Sequence, residues 1–320
     1  MVRWGVIATG GIADVVTSDL LRVPGAEVVA VSSRALPKAR EFAAKHGIAR
    51  AYGSYDDLLA DPDVDVVYVA TPHAQHHEVA RAALLAGKHV LCEKAFTLTL
   101  EDAQDLVDLA RDRGLFLMEA MWTRFNPLIR RLKTLVADGA IGDVRAVHAD
   151  FGFAAGYDSE HRLWNPALGG GALLDLGVYV VSFAHMLLGV PESVTVHGSL
   201  APTGVDADAA LLLGYSDGAH ALLTCSLTST PETRAVVVGT KGRIEVPEPF
   251  YNPAAIVVNG VEERAELDGV GYTYQLREVT ERVAAGYLES PEMQLDDTLA
   301  VMRTLTIALN ALGVSYANVR

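Results

Sequence analysis

Short apolar runs alternate with amphipathic segments over the first third of the chain. Five β-branched or aliphatic runs are typical of buried strands: 4–8, 27–33, 65–72, 88–94 and 115–121. Three segments between them carry apolar residues at helical spacing and end at or beside a glycine: 38–47, 76–88 and 99–114. Uninterrupted apolar strands that alternate with amphipathic helices predict a parallel sheet covered by helices on both faces.

The pattern changes near residue 122, where the runs become longer and alternate between apolar and polar positions. A helix is predicted over 126–138, followed by strands at 143–153, 193–200, 208–216, 219–228, 233–240 and 242–247. The sequence Ser216-Asp217-Gly218 lies between two of these strands and is typical of a β-hairpin. The second part therefore predicts an antiparallel sheet with a few helices. A very apolar helix over 296–312 must pack on another element.

Composition limits the partners and the compartment. The chain has 320 residues, enough for two domains, and a formal net charge of −14 that would repel nucleic acid. Its apolar runs are too short for a membrane span, and the N-terminus lacks the pattern of a signal peptide. Cys92 and Cys225 lie in apolar runs without zinc-site spacing. We expect two buried, reduced thiols in a cytoplasmic protein.

A glycine-containing loop follows the first predicted strand. The dinucleotide-binding fingerprint G-x-G-x-x-G/A joins a strand to a helix, and here Ala8, Gly10 and Ala13 occupy its three glycine positions. Alanine is expected to be tolerated at position 8, because the turn is not expected to require positive φ. A tight turn without a ligand is the alternative interpretation. The candidate cofactor-binding residues of this loop are Ala8, Thr9, Gly10, Gly11 and Ile12.

The end of the second predicted strand indicates which dinucleotide binds. NAD-specific domains place a carboxylate there for the ribose hydroxyls, whereas this chain has Ser32, Ser33 and Arg34. Hydroxyl and guanidinium groups suit a 2′-phosphate, so Ser33 and Arg34 favour NADP, with NAD as the other possibility. The alternative is that Arg34 is a solvated loop cation.

Polar residues follow the third and fourth clear strands, where an open parallel sheet binds its ligands. Glu93 and Lys94 end the fourth, and a partly desolvated lysine there is a candidate for chemistry rather than for a surface ion pair. A metal site made by the nearby histidines lacks an accompanying carboxylate pattern, so no metal is expected. The candidate cofactor contacts at this edge are Thr71, Pro72, His73, His76, Glu93 and Lys94.

The stretch 169–183, GGGALLDLGVYVVSF, places one carboxylate and one phenol inside an apolar run. Asp175 and Tyr179 are four residues apart and share a face if the run is helical. Burial of an ionised carboxylate costs several kcal/mol, roughly, unless it is paired. The pattern therefore indicates a functional pair, and a satisfied core phenol is the alternative for Tyr179.

Together, the motifs ATGGIA, ATPH, GKHVLCEKA and GGGALLDLGVY resemble the Gfo/Idh/MocA oxidoreductases over nearly the whole chain. The resemblance implies an NADP-binding Rossmann domain over 1–121. It also implies a substrate-binding domain over 122–320 with a large, open, mainly antiparallel sheet. In this family the last helix, here 296–312, commonly packs back on the Rossmann domain. Glu93-Lys94-Ala95 matches the family's E-K-P motif with alanine in place of proline. Tyr179, where many members have histidine, resembles the dihydrodiol dehydrogenase and D-xylose dehydrogenase branch.

The resemblance implies hydride transfer between a nicotinamide and a carbinol carbon of a sugar, polyol or trans-dihydrodiol. Tyr179 is then the proton-transfer residue with Lys94 as its electrostatic partner, the reverse assignment being open, and Asp175 anchors substrate or orients Lys94. Keto-sugar reduction, with nucleotide-linked sugars included, and non-catalytic NADP binding are the alternatives. An open sheet predicts a homodimer or homotetramer. The candidate substrate contacts are Trp122, Arg124, Phe125, Phe153, Arg162, Asp175 and Tyr179, with Phe151 as a further pocket wall.

Overall fold

The computed structural model describes residues 1–316 and Val319. The chain forms two compact units. Unit 1 consists of Met1–Thr97, Glu101–Trp122 and Leu267–Thr298, and unit 2 of Leu98–Leu100, Thr123–Glu266 and Leu299–Arg320. The chain passes from unit 1 to unit 2 after Trp122, and the predicted domain bounds of 1–121 and 122–320 stay predictions. The inclusion of 267–298 in unit 1 was not expected, because that segment follows the second sheet in the sequence.

Unit 1 is built on a parallel sheet. Its strands are β1 (Val2–Ile7), β2 (Ala26–Ser32), β3 (Arg50–Tyr52), β4 (Val66–Val69), β5 (His89–Cys92) and β6 (Leu117–Glu119). They are ordered β3-β2-β1-β4-β5-β6, which is the Rossmann order. The helices in this part of the chain are α1 (Gly11–Leu20), α2 (Leu36–His46), α3 (Tyr55–Leu59), α4 (His76–Leu85) and α5 (Leu100–Arg113). The predicted parallel sheet is confirmed, and the short strand β3 was missed because its three residues are only half-buried.

Unit 2 is built on an eight-stranded sheet. Its strands are β7 (Val144–Gly152), β8 (Ser193–Leu200), β9 (Asp206–Gly214), β10 (His220–Ser226), β11 (Ala235–Gly239), β12 (Gly242–Val246), β13 (Ala255–Val258) and β14 (Val261–Arg264). They are ordered β14-β13-β12-β11-β7-β10-β9-β8, and all neighbours are antiparallel except β7 and β10. The mainly antiparallel sheet and the hairpin between β9 and β10 are confirmed. Strands β13 and β14 were not predicted from the sequence pattern.

Two helical segments of unit 2 prepare its site. Helix α6 (Pro127–Ala137) begins after Asn126, whose side chain accepts the amides of Leu128 and Ile129. A π-helical turn over Leu173–Gly177 leads directly into α7 (Val178–Leu188). The stretch Pro166–Leu188 is long and apolar enough to cross a membrane, but 83% of an apolar 18-residue part of it is buried inside the structure. Such burial is typical of a core helix.

The segment 267–298 completes unit 1 through a buried carboxylate. Asp19 on α1 accepts the amide of Val270 at 3.0 Å and that of Tyr272 at 2.9 Å. Gly269 has a φ of +64°, and a Cβ there would lie 2.1 Å from the Asp19 carboxylate, so glycine is required. Helix α8 (Thr273–Ala284) then packs on α1 and β1. Asp19 thus fixes where the returning chain joins the first sheet.

The final helix α9 (Leu295–Leu312) confirms the predicted helix at 296–312. Its residues from Leu299 onward group with unit 2. Within that unit, Thr304 contributes a hydroxyl 3.0 Å from Nε2 of the buried His185 on α7. The predicted packing of α9 on the Rossmann domain stays a prediction.

The turn after β1 corrects one expectation. Ala8 has a φ of +81°, so the turn does require the left-handed region, contrary to the sequence-based interpretation. Its amide bonds the carbonyl of Ser32 at 3.0 Å, which fixes the backbone as it leaves the sheet. An L-residue with a Cβ is disfavoured in this region by about 1–2 kcal/mol. Ala8 therefore adopts the left-handed conformation of the first fingerprint position although it is not a glycine.

We expect Ala8→Gly to raise the free energy of unfolding by about 1 kcal/mol, because the backbone strain at this turn is removed. Denaturant unfolding followed by circular dichroism measures the change. Ala82→Gly, in the interior of α4, is the matched control and should lower stability by about 1 kcal/mol. Destabilisation of similar size by both substitutions would contradict the assigned strain at residue 8.

Candidate active site

The N-terminus of α1 presents unobstructed main-chain donors. Gly10 is the N-cap residue, and no side chain caps the first turn. A Cβ at Gly10 or at Gly11 would meet no atom within 4 Å, so there is open space beside these amides. Free N–H groups at a helix N-terminus favour anions. The loop therefore fits a pyrophosphate group.

Two buried hydroxyls lie at the same edge of the parallel sheet. Ser32 is the last residue of β2, and Thr71 follows β4 by two residues. Each side chain is buried, and neither hydroxyl has a hydrogen-bond partner within the described part of the chain. Buried polar atoms in native proteins are nearly always satisfied, so orphaned hydroxyls at a ligand-binding edge indicate a missing partner. This observation agrees with a dinucleotide bound at the carboxyl ends of β1, β2 and β4.

Ser33 and Arg34 differ in their environments. Ser33 is buried, and its hydroxyl oxygen accepts the amide of Ala35 at 3.4 Å. Arg34 is exposed and forms neither an ion pair nor a hydrogen bond with the residues that the structure describes. An exposed guanidinium beside the end of β2 remains available to a phosphate.

Glu93 and Lys94 follow β5 directly. The Tyr68 hydroxyl donates to Glu93 Oε1 at 2.5 Å, and Glu93 Oε2 accepts the Lys94 amide at 3.2 Å. Burial, and then the adjacent Glu93 carboxylate, hold the pKa of Tyr68 well above its usual range, so its proton stays in this hydrogen bond. The peptide bond between Lys94 and Ala95 is cis. Lys94 itself is half-buried.

His76 is fully buried. Its Nδ1 lies 2.8 Å from the carbonyl oxygen of Ala95, and its Nε2 lies 2.9 Å from that of Thr71. Burial lowers the pKa of this imidazole although the carbonyl contacts oppose the shift. These carbonyls belong to the segments after β4 and β5, so His76 connects the two segments. Its place among the cofactor contacts stays a prediction.

The other histidines of this group have separate environments. His73 is half-buried, and its ring lies 5.5 Å from that of His76. His77 Nε2 lies 2.7 Å from the Asp105 carboxylate of α5. Within residues 1–316 and Val319, no group of three or more histidine, cysteine or acidic side chains is arranged to hold a metal.

In unit 2, the π-helical turn carries Asp175, which is 5% exposed. Arg162 donates to both carboxylate oxygens, at 3.1 Å and 3.5 Å, and its own side chain is half-exposed. Asp175 is thus the buried member of an ion pair whose other member reaches solvent. This contact answers the question of how the apolar run accommodates a charge. The sequence named both residues but did not predict that they pair.

Tyr179 packs in a group of aromatic rings. Its ring lies 5.3 Å from Phe151 in a perpendicular arrangement and 5.7 Å from Tyr251. Phe151 and Tyr251 are themselves stacked at 4.7 Å. Tyr251 was missed by the sequence analysis because it belongs to a loop 72 positions after Tyr179, without any motif of its own. The neighbouring rings pack against the apolar body of Tyr179, and its hydroxyl is the polar end of the side chain.

The remaining candidate substrate residues are mostly packed. In unit 1, Trp122 is stacked on Tyr272 at 4.1 Å. In unit 2, Arg124 is buried and donates to the Ser182 hydroxyl of α7 at 3.0 Å, and Phe125 is fully buried. Arg124 and Phe125 are thus packed inside unit 2, and their place among the substrate contacts stays a prediction. Phe153 is half-buried at the end of β7, and its place in a substrate pocket stays a prediction.

Comparison with known proteins identifies the family. A family model described as an oxidoreductase family with an NAD-binding Rossmann fold matches residues 2–121, and a GFO/IDH/MocA C-terminal domain model matches residues 129–245. The chain belongs to the Gfo/Idh/MocA oxidoreductase family. Trans-1,2-dihydrobenzene-1,2-diol dehydrogenase from Macaca fascicularis is 40% identical, and the match covers 98% of each chain. The enzyme of that name from Xenopus tropicalis is 38% identical over 98% of this chain and 99% of its own.

Solved structures of other oxidoreductases share the fold over nearly the whole chain. An aldose-aldose oxidoreductase from Caulobacter crescentus, complexed with glycerol, has a TM-score of 0.88 and 27% identity, covering 98% of this chain and 97% of that one. A 3-ketoreductase from Actinomadura kijaniata, in complex with NADP and TDP-benzene, has a TM-score of 0.84 and 29% identity, covering 97% of each chain. This Gfo/Idh/MocA protein is therefore an NAD(P)-binding oxidoreductase of the kind that acts on CH–OH groups.

We expect Tyr68→Phe to lower the free energy of unfolding by about 1–3 kcal/mol, because a buried carboxylate loses a hydrogen-bond donor. Thermal unfolding measures the loss. Tyr52→Phe removes a similar bond to Asp61 at the less buried position 52 and should cost less. Equal effects of the two substitutions would contradict the special dependence of Glu93 on Tyr68.

Proposed function

We propose that the protein is an NADP-dependent dehydrogenase that transfers a hydride between nicotinamide and a carbinol carbon of a sugar, a polyol or a trans-dihydrodiol. The observation that carries the proposal is that the two candidate catalytic side chains have fixed main-chain or ring positions. Lys94 follows β5, where its amide donates to Glu93, which also accepts the Tyr68 hydroxyl. The ring of Tyr179 packs against Phe151, one helical turn after Asp175. The names of the dihydrodiol dehydrogenase relatives and of the aldose oxidoreductase neighbour agree with this class of substrate.

Residues of unit 1 would hold the cofactor. The amides of the 9–12 loop suit the pyrophosphate, and the hydroxyl of Thr71 with the Glu93–Lys94 pair lies at the edge that suits the nicotinamide half. When bound, NADP supplies the hydride acceptor or donor, and the protein supplies orientation and proton transfer. Arg34 and Ser33 supply donors suited to a 2′-phosphate, and no carboxylate occupies the end of β2. These features favour NADP over NAD.

Tyr179 is proposed as the proton-transfer residue. A carbinol loses its hydroxyl proton as the hydride leaves, so a base must receive that proton. A phenol is a weak base at neutral pH unless a cation stabilises its phenolate. Lys94 is the proposed cation, and the proposal requires that both side chains face the same carbinol in the working enzyme. In the reductive direction Tyr179 donates the proton instead.

Asp175 and Arg162 are proposed to bind the hydroxyl groups next to the reacting carbon. Asp175 presents carboxylate oxygens from a rigid, buried turn, and Arg162 presents donors from the solvent side. Phe151 and Tyr251 provide aromatic faces that suit the C–H faces of a sugar or a cyclic diol. This combination of paired charges and aromatic faces fits a vicinal diol.

A keto-sugar reductase is the second candidate. The similarity to the 3-ketoreductase, at a TM-score of 0.84 and 29% identity, favours it. The same Lys94 and Tyr179 would serve in the reverse direction. NADPH consumption with a keto-sugar, without oxidation of free aldoses or diols, would select this function over the first.

A second copy of the chain is proposed to cover the open face of the eight-stranded sheet. Leu212 on β9 and Leu222 on β10 are paired across the strands, and both are exposed, at 44% and 46%. Adjacent apolar side chains on a flat sheet surface favour an interface over solvent. A homodimer or homotetramer and a cytoplasmic location are part of the proposal.

We expect Lys94→Ala and Tyr179→Phe each to lower kcat by about 10²–10⁴-fold, because each removes a group that assists proton transfer. NADP affinity, measured by fluorescence titration, should change little for Tyr179→Phe. The matched controls Lys38→Ala and Tyr287→Phe alter exposed side chains and should leave kcat unchanged. Turnover close to that of the unmodified enzyme in both site variants would overturn the mechanism.

We expect Arg34→Ala to weaken NADP binding by about tenfold to a hundredfold, because a charged hydrogen-bond donor to the 2′-phosphate is lost. NAD affinity should be unaffected. Titration of both cofactors by isothermal calorimetry tests the difference, and Arg40→Ala on the exposed side of α2 is the control. A parallel loss of affinity for NAD and NADP would contradict recognition of the 2′-phosphate.

A further inference from the structure

Asp206 is a buried carboxylate that the proposed mechanism does not use. It is the first residue of β9 and is fully buried. Its Oδ2 accepts the Leu173 amide at 2.5 Å, and the Ala172 amide also bonds to this carboxylate. Its Oδ1 has no hydrogen-bond partner among the residues that the structure describes. One carboxylate oxygen thus binds the start of a helix while the other is buried unsatisfied.

The helix start bound by Asp206 leads directly to two proposed functional residues. Asp175 lies two residues beyond Leu173 in the same π-helical turn, and Tyr179 lies in the first turn of α7. A negative charge at a helix N-terminus is favourable because it meets free N–H groups and the positive end of the helix dipole. π-Helical turns depart from ideal hydrogen bonding, so their placement depends on contacts outside the helix. Asp206 supplies such a contact.

The glycines before this helix permit the close approach. Gly171 has a φ of +119°, and a Cβ there would lie 2.3 Å from Asp206 Oδ1 and 2.9 Å from the Tyr316 hydroxyl. The Tyr316 hydroxyl donates to the carbonyl oxygen of Gly170. The Gly171 amide donates to the Leu163 carbonyl at 2.9 Å. The loop, the carboxylate and the phenol therefore form one buried unit in which any side chain at position 171 is excluded.

We propose that Asp206 is a positioning residue for the reaction: its ionised carboxylate anchors the helix that carries Asp175 and Tyr179, and protonation of that carboxylate weakens the anchor and lowers turnover. The proposal rests on the proposed roles of Asp175 and Tyr179. Asp206 acts through the main chain of the helix and touches neither substrate nor cofactor.

Asp206 is placed to change its charge in a mildly acidic range. Burial raises the pKa of Asp206 to about 6, against the lowering effect of the amides that it accepts. The titratable groups around it are Asp208 on its own strand, Cys225 on β10 and Tyr316 on the C-terminal segment. Burial raises the pKa of the Cys225 thiol and of the Tyr316 phenol, so both stay neutral in this range.

The direction of the pH effect on stability follows from the raised pKa. The folded protein takes up a proton at Asp206 near pH 6, whereas the unfolded chain does so near the ordinary value of about 4. Stability therefore falls as the pH rises from about 4 to about 6. Ionised Asp206 lowers global stability while anchoring the helix, which separates a positioning role from a merely structural one.

The test is Asp206→Asn in the full-length enzyme, with kcat and the melting temperature measured from pH 4.5 to pH 8.5. We expect kcat at pH 8 to fall at least about tenfold, a loss equal to 1.4 kcal/mol of activation free energy. In unmodified enzyme kcat should decline as the pH falls through about 6, and in Asp206→Asn this decline should be absent. The difference in melting temperature, Asp206→Asn minus unmodified enzyme, should be higher at pH 8 than at pH 4.5, because only the ionised carboxylate carries the cost of burial. Asp217→Asn is the control, since Asp217 accepts one amide in an exposed hairpin.

Two results would overturn the proposal. Asp206→Asn with unchanged kcat and an unchanged decline near pH 6 would show that the carboxylate does not control the site. A loss of kcat that parallels a loss of melting temperature at every pH, with the decline near pH 6 retained, would show a structural role alone.

Hydrogen exchange separates this proposal from the proposed function. At pH 7.5, where Asp206 is ionised, amides of residues 172–180 should be less protected in Asp206→Asn than in unmodified enzyme, after correction for any difference in global stability. This readout does not require turnover, so it stands even if Lys94→Ala and Tyr179→Phe leave activity intact. Equal protection of these amides in the two proteins would overturn the anchor.

Discussion

Carboxylates buried in an apolar interior must be paired, and this requirement arranges the candidate site. Isolation of such a charge from water costs several kcal/mol, roughly, unless hydrogen bonds replace the solvent. Glu93 is bound by the Tyr68 hydroxyl, Asp175 by Arg162, and Asp206 by the first amides of the helix at 172–188. Each partner fixes the main chain or side chain beside a residue proposed for chemistry. The polar groups are thereby held rigid without a large polar network.

Much of the fold could be predicted because its signals are local. Period-two and period-3.6 patterns locate most strands and helices, and glycine marks several helix ends. The glycine loop after β1 and the Glu93-Lys94 pair after β5 lie at a sheet edge, so parallel topology alone predicts that they share one side. The helix predicted at 296–312 is confirmed. It could be predicted because its apolar pattern is long and continuous.

The rest depends on contacts between residues that are far apart in the chain. The left-handed conformation of Ala8 follows from the path of the turn, which residue type alone does not reveal. His76 belongs to a motif suited to a cofactor contact, yet both of its ring nitrogens lie within 2.9 Å of main-chain carbonyl oxygens inside unit 1. Tyr251 reaches Tyr179 from a loop that carries no motif. Roles set by tertiary partners, and not by spacing, are those that sequence patterns miss.

The return of residues 267–298 to unit 1 has a consequence for synthesis of the protein. Asp19 lacks its main-chain partners until the amides of Val270 and Tyr272 arrive, and only then does α8 cover α1 and β1. A chain emerging from the ribosome therefore cannot complete its first domain while the second is being made. The nucleotide-binding unit closes only after the strands of the second unit have been translated, and a gene truncated after the first sheet would encode an incomplete domain.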